Sequence, residues 1–234
     1  MKLTLTSLNL QGFDHWEERS PKILDYLTKT DADVVVFQEA VFLPSVSPHN
    51  QAQLLNQDLN YPYQVSTISR LQVSHEFPIY REGLAFVSKY HVRSSDTLIL
   101  KKAEGDEHNR ILQLFDIWIG DDIVRIGHVH FSITDHVDYA TPHLEETLSI
   151  LKARNEKRIL IGDFNLTHLE ASSHLWEEDY IASTSVPYIT YPSMNKRTDY
   201  ALIPKEYTFL DISVSGDGLS DHRALTVTID IPQQ

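Results

Sequence analysis

A chain of 234 residues, 41% hydrophobic and 23% charged, has the composition of an ordinary soluble globular protein and is long enough to bury a large core. Its formal net charge of −13 argues against a sequence-independent nucleic-acid binder, which needs Lys and Arg to neutralise phosphates. With no cysteine it has no disulfide, no thiolate metal ligand and no cysteine nucleophile.

No Pro/Gly/Ser linker, low-complexity stretch or internal repeat divides the sequence, so a single domain over 1–234 is expected. The start, Met1-Lys2-Leu3-Thr4-Leu5-Thr6, alternates like a strand and does not read as a secretory signal. No run approaches the roughly 18 consecutive apolar residues of a membrane helix. A cytoplasmic, monomeric protein without membrane association is the expectation. The densest basic run, Lys152 to Arg158, falls at the end of a predicted helix, where cations complement the helix dipole.

Residues 3–9 read as a strand ending at Asn9. Ser20-Pro21 predicts an N-cap with Pro at the first helical position, and Ile23, Leu24 and Leu27 face inward. Val34-Val35-Val36-Phe37 reads as a doubly buried strand ending in Gln38-Glu39. A helix over about 50–59 follows, then strands near 62–68, 84–88, 92–100, 110–119 and 123–131. Thr141-Pro142 repeats the cap-plus-proline signal, with Leu144, Leu148 and Leu151 inward. Then come a strand at 158–162, an irregular, partly helical stretch at 166–187, and strands near 198–203, 208–214 and 223–230. Many strands with few helices, in meander and crossover connections, predict two sheets packed face to face and flanked by helices.

Gly162-Asp163-Phe164-Asn165, directly after the apolar Arg158-Ile159-Leu160-Ile161, is the most informative stretch. An acid and a carboxamide two residues apart on a strand point the same way, suiting a site for a metal ion or for a water and a phosphoryl oxygen. Gly162 leaves room for a close approach to the backbone. Polar residues also end other predicted strands: Asn9, Glu39 and His130, with Asp221 and His222 just before the last one.

In chain order the pieces are Asn9, Gln38-Glu39, Glu82-Gly83-Leu84-Ala85-Phe86-Val87-Ser88, His128-Val129-His130, Gly162-Asp163-Phe164-Asn165, Arg197-Thr198-Asp199-Tyr200 and Ser220-Asp221-His222. Their order and spacing resemble the endonuclease/exonuclease/phosphatase superfamily, from residue 4 to about 229. The resemblance implies a deoxyribonuclease-I-like, four-layered α/β sandwich of two packed mixed β-sheets flanked by helices. It also implies dependence on Mg²⁺ or Mn²⁺ and hydrolysis of a phosphate ester. Hard oxygen ligands suit those ions.

By that resemblance Glu39 is the metal carboxylate, Asn9 a second ligand or a brace for it, and Asp221 completes the metal site. Asp163 positions and deprotonates the attacking water, and Asn165 hydrogen-bonds the phosphoryl oxygens. Asp199 holds His222, which faces the phosphate. His130 is a candidate acid for the leaving oxygen, with Glu82 as its carboxylate partner. Arg110 contacts a phosphate, as an Arg near that strand does in relatives, or makes a surface salt bridge. His128 shares the face of His130 on a regular strand, and only the family alignment excludes it. Val129 and Thr198 depart from the usual pattern, where Thr or Asn precedes the His and Ile or Leu the Asp.

The predicted function is a Mg/Mn-dependent phosphodiesterase-type hydrolase favouring a compact substrate, with a DNA or RNA nuclease as the alternative. A catalytically silent binding module of the same fold is a remote third reading. The acidic charge disfavours nucleic acid as a partner, and the loops 41–60, 69–80, 102–109 and 166–196 show no apolar membrane-binding tip.

Overall fold

The computed structural model describes residues 1–73, 79–134 and 136–232. Its elements in chain order are β1 (Lys2–Asn9), α1 (Trp16–Thr30), β2 (Val34–Phe42), α2 (Gln51–Leu59), β3 (Tyr63–Gln72), β4 (Tyr80–Ser88), β5 (Val92–Ile99) and β6 (Ile111–Ile119). They continue with β7 (Asp122–His130), α3 (Ala140–Ala153), β8 (Ile159–Asp163), α4 (Ser173–Trp176), β9 (Tyr180–Ala182), β10 (Asp199–Pro204), β11 (Thr208–Val214) and β12 (Leu225–Asp230).

Two six-stranded mixed sheets form, in the orders β11-β12-β1-β2-β4-β3 and β5-β6-β7-β8-β10-β9. Each is built around one parallel pair joined through a helix, β1-α1-β2 in the first and β7-α3-β8 in the second. The central strands of the two sheets face each other, so the C-terminal ends of both parallel pairs meet at one edge of the sandwich. Helices α1 and α2 cover one outer face through Ile23, Leu27, Ala52 and Leu55. Helix α3 covers the other through Leu144 and Leu151. This is the expected four-layered sandwich of the deoxyribonuclease-I type.

The period-two alternation of the strands explains where the site forms. In β1, Leu3 and Leu5 point between the sheets, and Ser7 and Asn9 continue that face. The same progression runs Val34–Val36–Gln38 in β2, Val124–Ile126–His128–His130 in β7, and Ile159–Ile161–Asp163 in β8. Asp199 heads the face carried on by Ala201 and Ile203 in β10. The layer between the sheets, pinned by the Phe86–Phe115 stack at 3.7 Å, is therefore apolar along most of its length and polar at one end.

Several local expectations are corrected. Helix α1 begins at Trp16, so Ser20-Pro21 lies inside it and is no cap. Pro21 is tolerated because it is exposed, and so is Glu17, whose carbonyl loses an amide partner and turns to solvent. Helix α3 begins one residue before Thr141, and the amide of Thr141 is capped by Asp138 Oδ1 at 2.9 Å. Arg158 lies beyond the end of α3, buried against Asp116 at 2.7 Å, and does not complement the helix dipole. The short β9 falls within the stretch read as irregular. The tip of the 69–80 loop, residues 74–78, on which the expectation of no apolar tip bears, lies outside the described residues; Leu71, Val73 and Ile79 beside it are exposed. No helix among the described residues is long and apolar enough to cross a membrane.

Gly162 fulfils its reading as a point of close approach. Its φ is +148°, and a Cβ there would lie 2.0 Å from the Val129 carbonyl oxygen. Gly162→Ala is expected to cost about 2–4 kcal/mol of folding stability, because both the strained backbone and the β7–β8 pairing resist it. Urea unfolding of the two proteins measures this.

Candidate active site

The site is assembled from strand ends and one bulge. In β2 the pairing with β4 slips between Phe37↔Ala85 and Ala40↔Gly83, so Gln38 and Glu39 together oppose Leu84. The strand thus runs on to Phe42, where the sequence suggested an end at Glu39. The bulge carries Glu39 at φ +52° and turns its carboxylate toward the polar end of the sandwich. Gln51 fixes this geometry: its Oε1 accepts from the amide of Val41 at 2.9 Å, and its Nε2 donates to the Gly12 carbonyl at 2.6 Å.

The same Gly12 carbonyl receives a guanidinium N–H of Arg19 at 3.2 Å. Arg19 also donates to the carbonyls of Asp14 at 2.6 Å and Leu219 at 2.9 Å, clamping the β1–α1 loop to the loop that carries Asp221. Gln11 closes the frame, its amide donating to Asn9 Oδ1 at 3.0 Å and its Oε1 accepting from the amide of Asp221 at 2.9 Å.

These loops and strand ends enclose a cavity of about 270 Å³ lined by Asn9, Glu39, His130, Asp163, Asn165, Asp221 and His222, with Thr167, Tyr191, Lys196 and Thr198 at its walls. Asn9 Nδ2 donates to Asp163 Oδ2 at 3.2 Å and to Glu39 Oε1 at 3.4 Å. The Nε2 of His130 lies 3.6 Å from Asp163 and 3.9 Å from Glu39. His222 Nδ1 contacts Asp199 Oδ2 at 2.8 Å, and its Nε2 lies 3.9 Å from Asp163.

Asp163, Asp199 and His222 form a buried acidic/His cluster whose ligand atoms lie within 4.8 Å of one another, a grouping that could hold a divalent ion when the His222 ring is uncharged. Two carboxylate oxygens, Asp199 Oδ1 and Asp221 Oδ1, are buried without a hydrogen-bond partner among the described residues. Orphaned acceptors of this kind are costly unless a cation or donor meets them, so the donor set fits a hard divalent ion.

The charges are tuned by position. Burial, reinforced by the neighbouring Asp199 carboxylate, pushes Asp163 up to about 7, against the opposing pull of His222. Burial works against a charged His222, but Asp199 and Asp163 outweigh it and raise the ring to about 10, so it stands as an imidazolium between carboxylates. His130 is driven well below its ordinary value by burial, and Arg110 and Arg70 add to this.

The sequence-predicted residues divide into two ranks. Asn9, Glu39, His130, Asp163, Asn165, Asp221 and His222 line the cavity; Asp199, Glu82 and Arg110 stand behind it. Asp199 holds His222 as expected. Glu82 does not partner His130: it is paired with Arg70 at 2.6 Å. His130 Nδ1 instead receives a guanidinium N–H of Arg110 at 2.9 Å. Arg110 is accordingly buried behind His130 and does not reach the cavity, against the expected contact with phosphate. Asn9 Oδ1 accepts from the Gln11 amide and its Nδ2 donates to Glu39 and Asp163.

Asn165 reaches the cavity by a left-handed turn at φ +51° beyond the end of β8, not by strand alternation. Its Nδ2 donates to the Phe131 carbonyl at 2.9 Å. His128 shares the face of His130 but is sealed deeper between the sheets. There Gln38 Nε2 lies 2.6 Å from its Nε2 and Gln113 Oε1 lies 3.0 Å from its Nδ1. Sequence reasoning missed the frame of Gln11, Arg19 and Gln51. Only Arg19 left a signal, a charge at the four-residue spacing of Ile23 and Leu27 on the buried stripe of α1.

The buried histidines set a pH dependence. Burial depresses His128 to about 3 and, together with Arg110, depresses His108 to about 4, against about 6.5 in the unfolded chain. Below pH 6.5 these histidines take up protons in the unfolded chain that the native state refuses, so the stability they contribute is complete above that pH and falls as pH drops toward 3–4; Asp163, held protonated up to about 7, acts in the opposite sense. The fully buried His128 contributes up to about 1.4 kcal/mol per pH unit and the half-buried His108 less, and His128→Gln should remove the former share of the slope in urea melts between pH 6.5 and 4. His128→Ala, which leaves buried amides unpaired, should cost about 2–4 kcal/mol while turnover stays in the wild-type range.

A sequence profile described as the Endonuclease/Exonuclease/phosphatase family matches residues 6–222. No curated protein sequence matches the chain. Among solved structures, an endonuclease/exonuclease/phosphatase family protein from Leptotrichia buccalis C-1013-b superposes with a TM-score of 0.78 at 16% identity, covering 98% of this chain and 100% of its own. The endonuclease/exonuclease/phosphatase of Beutenbergia cavernae DSM 12333 gives 0.78 at 16% identity, over 97% of this chain and 71% of its own. A mannosyl-6-phosphatase of Bacteroides thetaiotaomicron VPI-5482 gives 0.73 at 15% identity, over 98% and 100%. The profile match runs from within β1 to the His222 that Asp199 holds, and on it the chain belongs to the endonuclease/exonuclease/phosphatase family, whose fold is that of metal-dependent phosphoesterases.

Proposed function

We propose that this chain hydrolyses a compact phosphate ester, with Glu39 and Asp221 as carboxylate ligands of a Mg²⁺ or Mn²⁺ ion and Asn9 bracing them. One observation carries the reading: Glu39, Asp163 and Asp221 converge on one cavity with two imidazoles and two carboxamides, and Asp221 Oδ1 is buried there without a partner among the described residues. When bound, the ion would neutralise its two carboxylate ligands and polarise the phosphoryl oxygens.

The side chains have complementary tasks. Asp163, raised to about 7, accepts a proton from water near neutral pH, and Asn9 Nδ2 at 3.2 Å fixes its orientation. His222, held charged by Asp199, offers Nε2–H to the phosphoryl oxygens as negative charge builds. His130 accepts the Arg110 N–H at Nδ1, so its ring hydrogen sits on Nε2, facing the cavity. That makes it a neutral donor to the leaving oxygen, where the expected carboxylate partner would have made it a charged acid. Asn165 adds a neutral amide at the same wall.

The chain's excess of acidic residues opposes approach of a long polyanion, which supports a compact substrate over duplex DNA. The mannosyl-6-phosphatase shares the fold and, by its name, acts on a sugar phosphate and not on a nucleic acid, which supports this reading.

Activity on bis(p-nitrophenyl) phosphate should vanish on chelation and return with Mg²⁺ or Mn²⁺. Glu39→Gln and His222→Ala should each lower turnover by about a hundredfold or more, the scale set by loss of one transition-state group. Full turnover in excess chelator would overturn the proposal. Plasmid nicking more efficient than small-diester hydrolysis, and weakening steeply with salt, would favour the nuclease reading instead.

A further inference from the structure

A second groove, of about 550 Å³, adjoins the catalytic cavity and shares Thr167 and Lys196 with it. Its other lining residues include His168, Tyr188, Arg197 and Arg223, and no acidic side chain lines it. On a chain with a net charge of −13, three cations gathered beside the cavity need an explanation.

Pairing accounts for only part of this charge. Arg223 Nε donates to Asp217 at 2.6 Å, and Arg197 pairs with Glu170. Lys196 makes no ion pair among the described residues. Arg197 lies over the rings of Tyr188 and Tyr200 at 5.1 and 5.2 Å, and its Nε is buried without a hydrogen-bond partner among the described residues.

The groove is also rigidly tied to the catalytic residues. Lys196 and Tyr191 exchange backbone hydrogen bonds at 3.0 and 2.9 Å across the turn that follows Tyr191, fixing where Lys196 stands. Thr190 accepts the Arg223 amide at 2.7 Å, and its hydroxyl receives the amides of Thr198 and Asp199, each at 3.1 Å. Arg197 precedes Asp199 by two residues, and Arg223 follows His222. One set of backbone bonds therefore positions both the groove's cations and the Asp199–His222 pair.

We propose that this groove is a second anion subsite, taking another phosphate group of the same substrate while the ester to be cleaved sits in the catalytic cavity. The inference rests on the phosphoesterase reading above and adds the substrate's chemistry: two phosphates on one compact molecule, or adjacent phosphates of a short strand.

The test compares catalytic efficiency, with saturating Mn²⁺, on two matched pairs: glucose 1-phosphate against glucose 1,6-bisphosphate, and the dinucleotide dTpdT against its 5′-phosphorylated form. The added phosphate should raise efficiency at least tenfold in one pair or both, chiefly through KM. Lys196→Gln, Arg223→Gln and the double variant should progressively erase that gain, and Lys22→Gln, on the exposed side of α1, should keep it. A gain in the sugar pair identifies a small bisphosphate, and a gain in the dinucleotide pair identifies a strand; each supports the subsite. Turnover of the simple esters with no gain from the second phosphate would overturn the subsite alone. A gain that survives the double variant would do the same. Hydrolysis of bis(p-nitrophenyl) phosphate with no turnover of any of the four compounds would overturn the subsite, and no turnover of that diester either would overturn the phosphoesterase reading with it.

Discussion

The buried carboxylate of Asp163 is the feature around which the rest of this structure is arranged. It is 1% exposed at the end of an otherwise apolar layer between two sheets, with Asp199 paired opposite it in β10 and Glu39 nearby. An unpaired carboxylate there would be intolerable, and a neutral one would serve no chemistry. The protein resolves this with two donors, Asn9 Nδ2 from β1 and the backbone amide of Asn165, and with the charged His222 standing 3.9 Å away. Each donor is placed by a different strand end or loop. The sandwich must therefore be complete before the site exists.

The second demand is rigidity in loops that carry the remaining carboxylates. Glu39 rides a bulge at positive φ, and Asp221 a loop far away in sequence. Both are referred to one point, the Gly12 carbonyl, by Gln51 and Arg19. Long polar side chains bonded to backbone suit this work, because they bridge loops without adding a carboxylate to a cavity already rich in negative charge. Arg110 serves similarly behind His130, fixing a tautomer where a carboxylate would have favoured a charged ring.

The strand pattern was legible because period-two alternation and short apolar runs are local signals; β11 falls on the residues expected of it, and β1, β5 and β8 lie within a residue or two. The cavity-lining residues were legible as motifs at strand ends. Partnerships across the fold were not. Nothing near Glu82 in the sequence announces that Arg70, and not His130, will be its partner, since a bulge in β3–β4 pairing decides that contact. The helix starts were misread because Ser-Pro and Thr-Pro signal a cap locally, whereas tertiary packing carried α1 a full turn further back. The groove of Lys196, Arg197 and Arg223 was invisible because its cations are contributed by two separated segments.

The central claim is that the polar end of the sandwich holds a divalent cation through carboxylate oxygen. Titration of Mn²⁺ followed by electron paramagnetic resonance tests this without reference to any substrate. Saturable binding to the wild-type protein, weakened at least tenfold by Glu39→Gln in a variant that unfolds at the wild-type urea midpoint, is the predicted result. No saturable binding, or the same affinity in the variant, would contradict it.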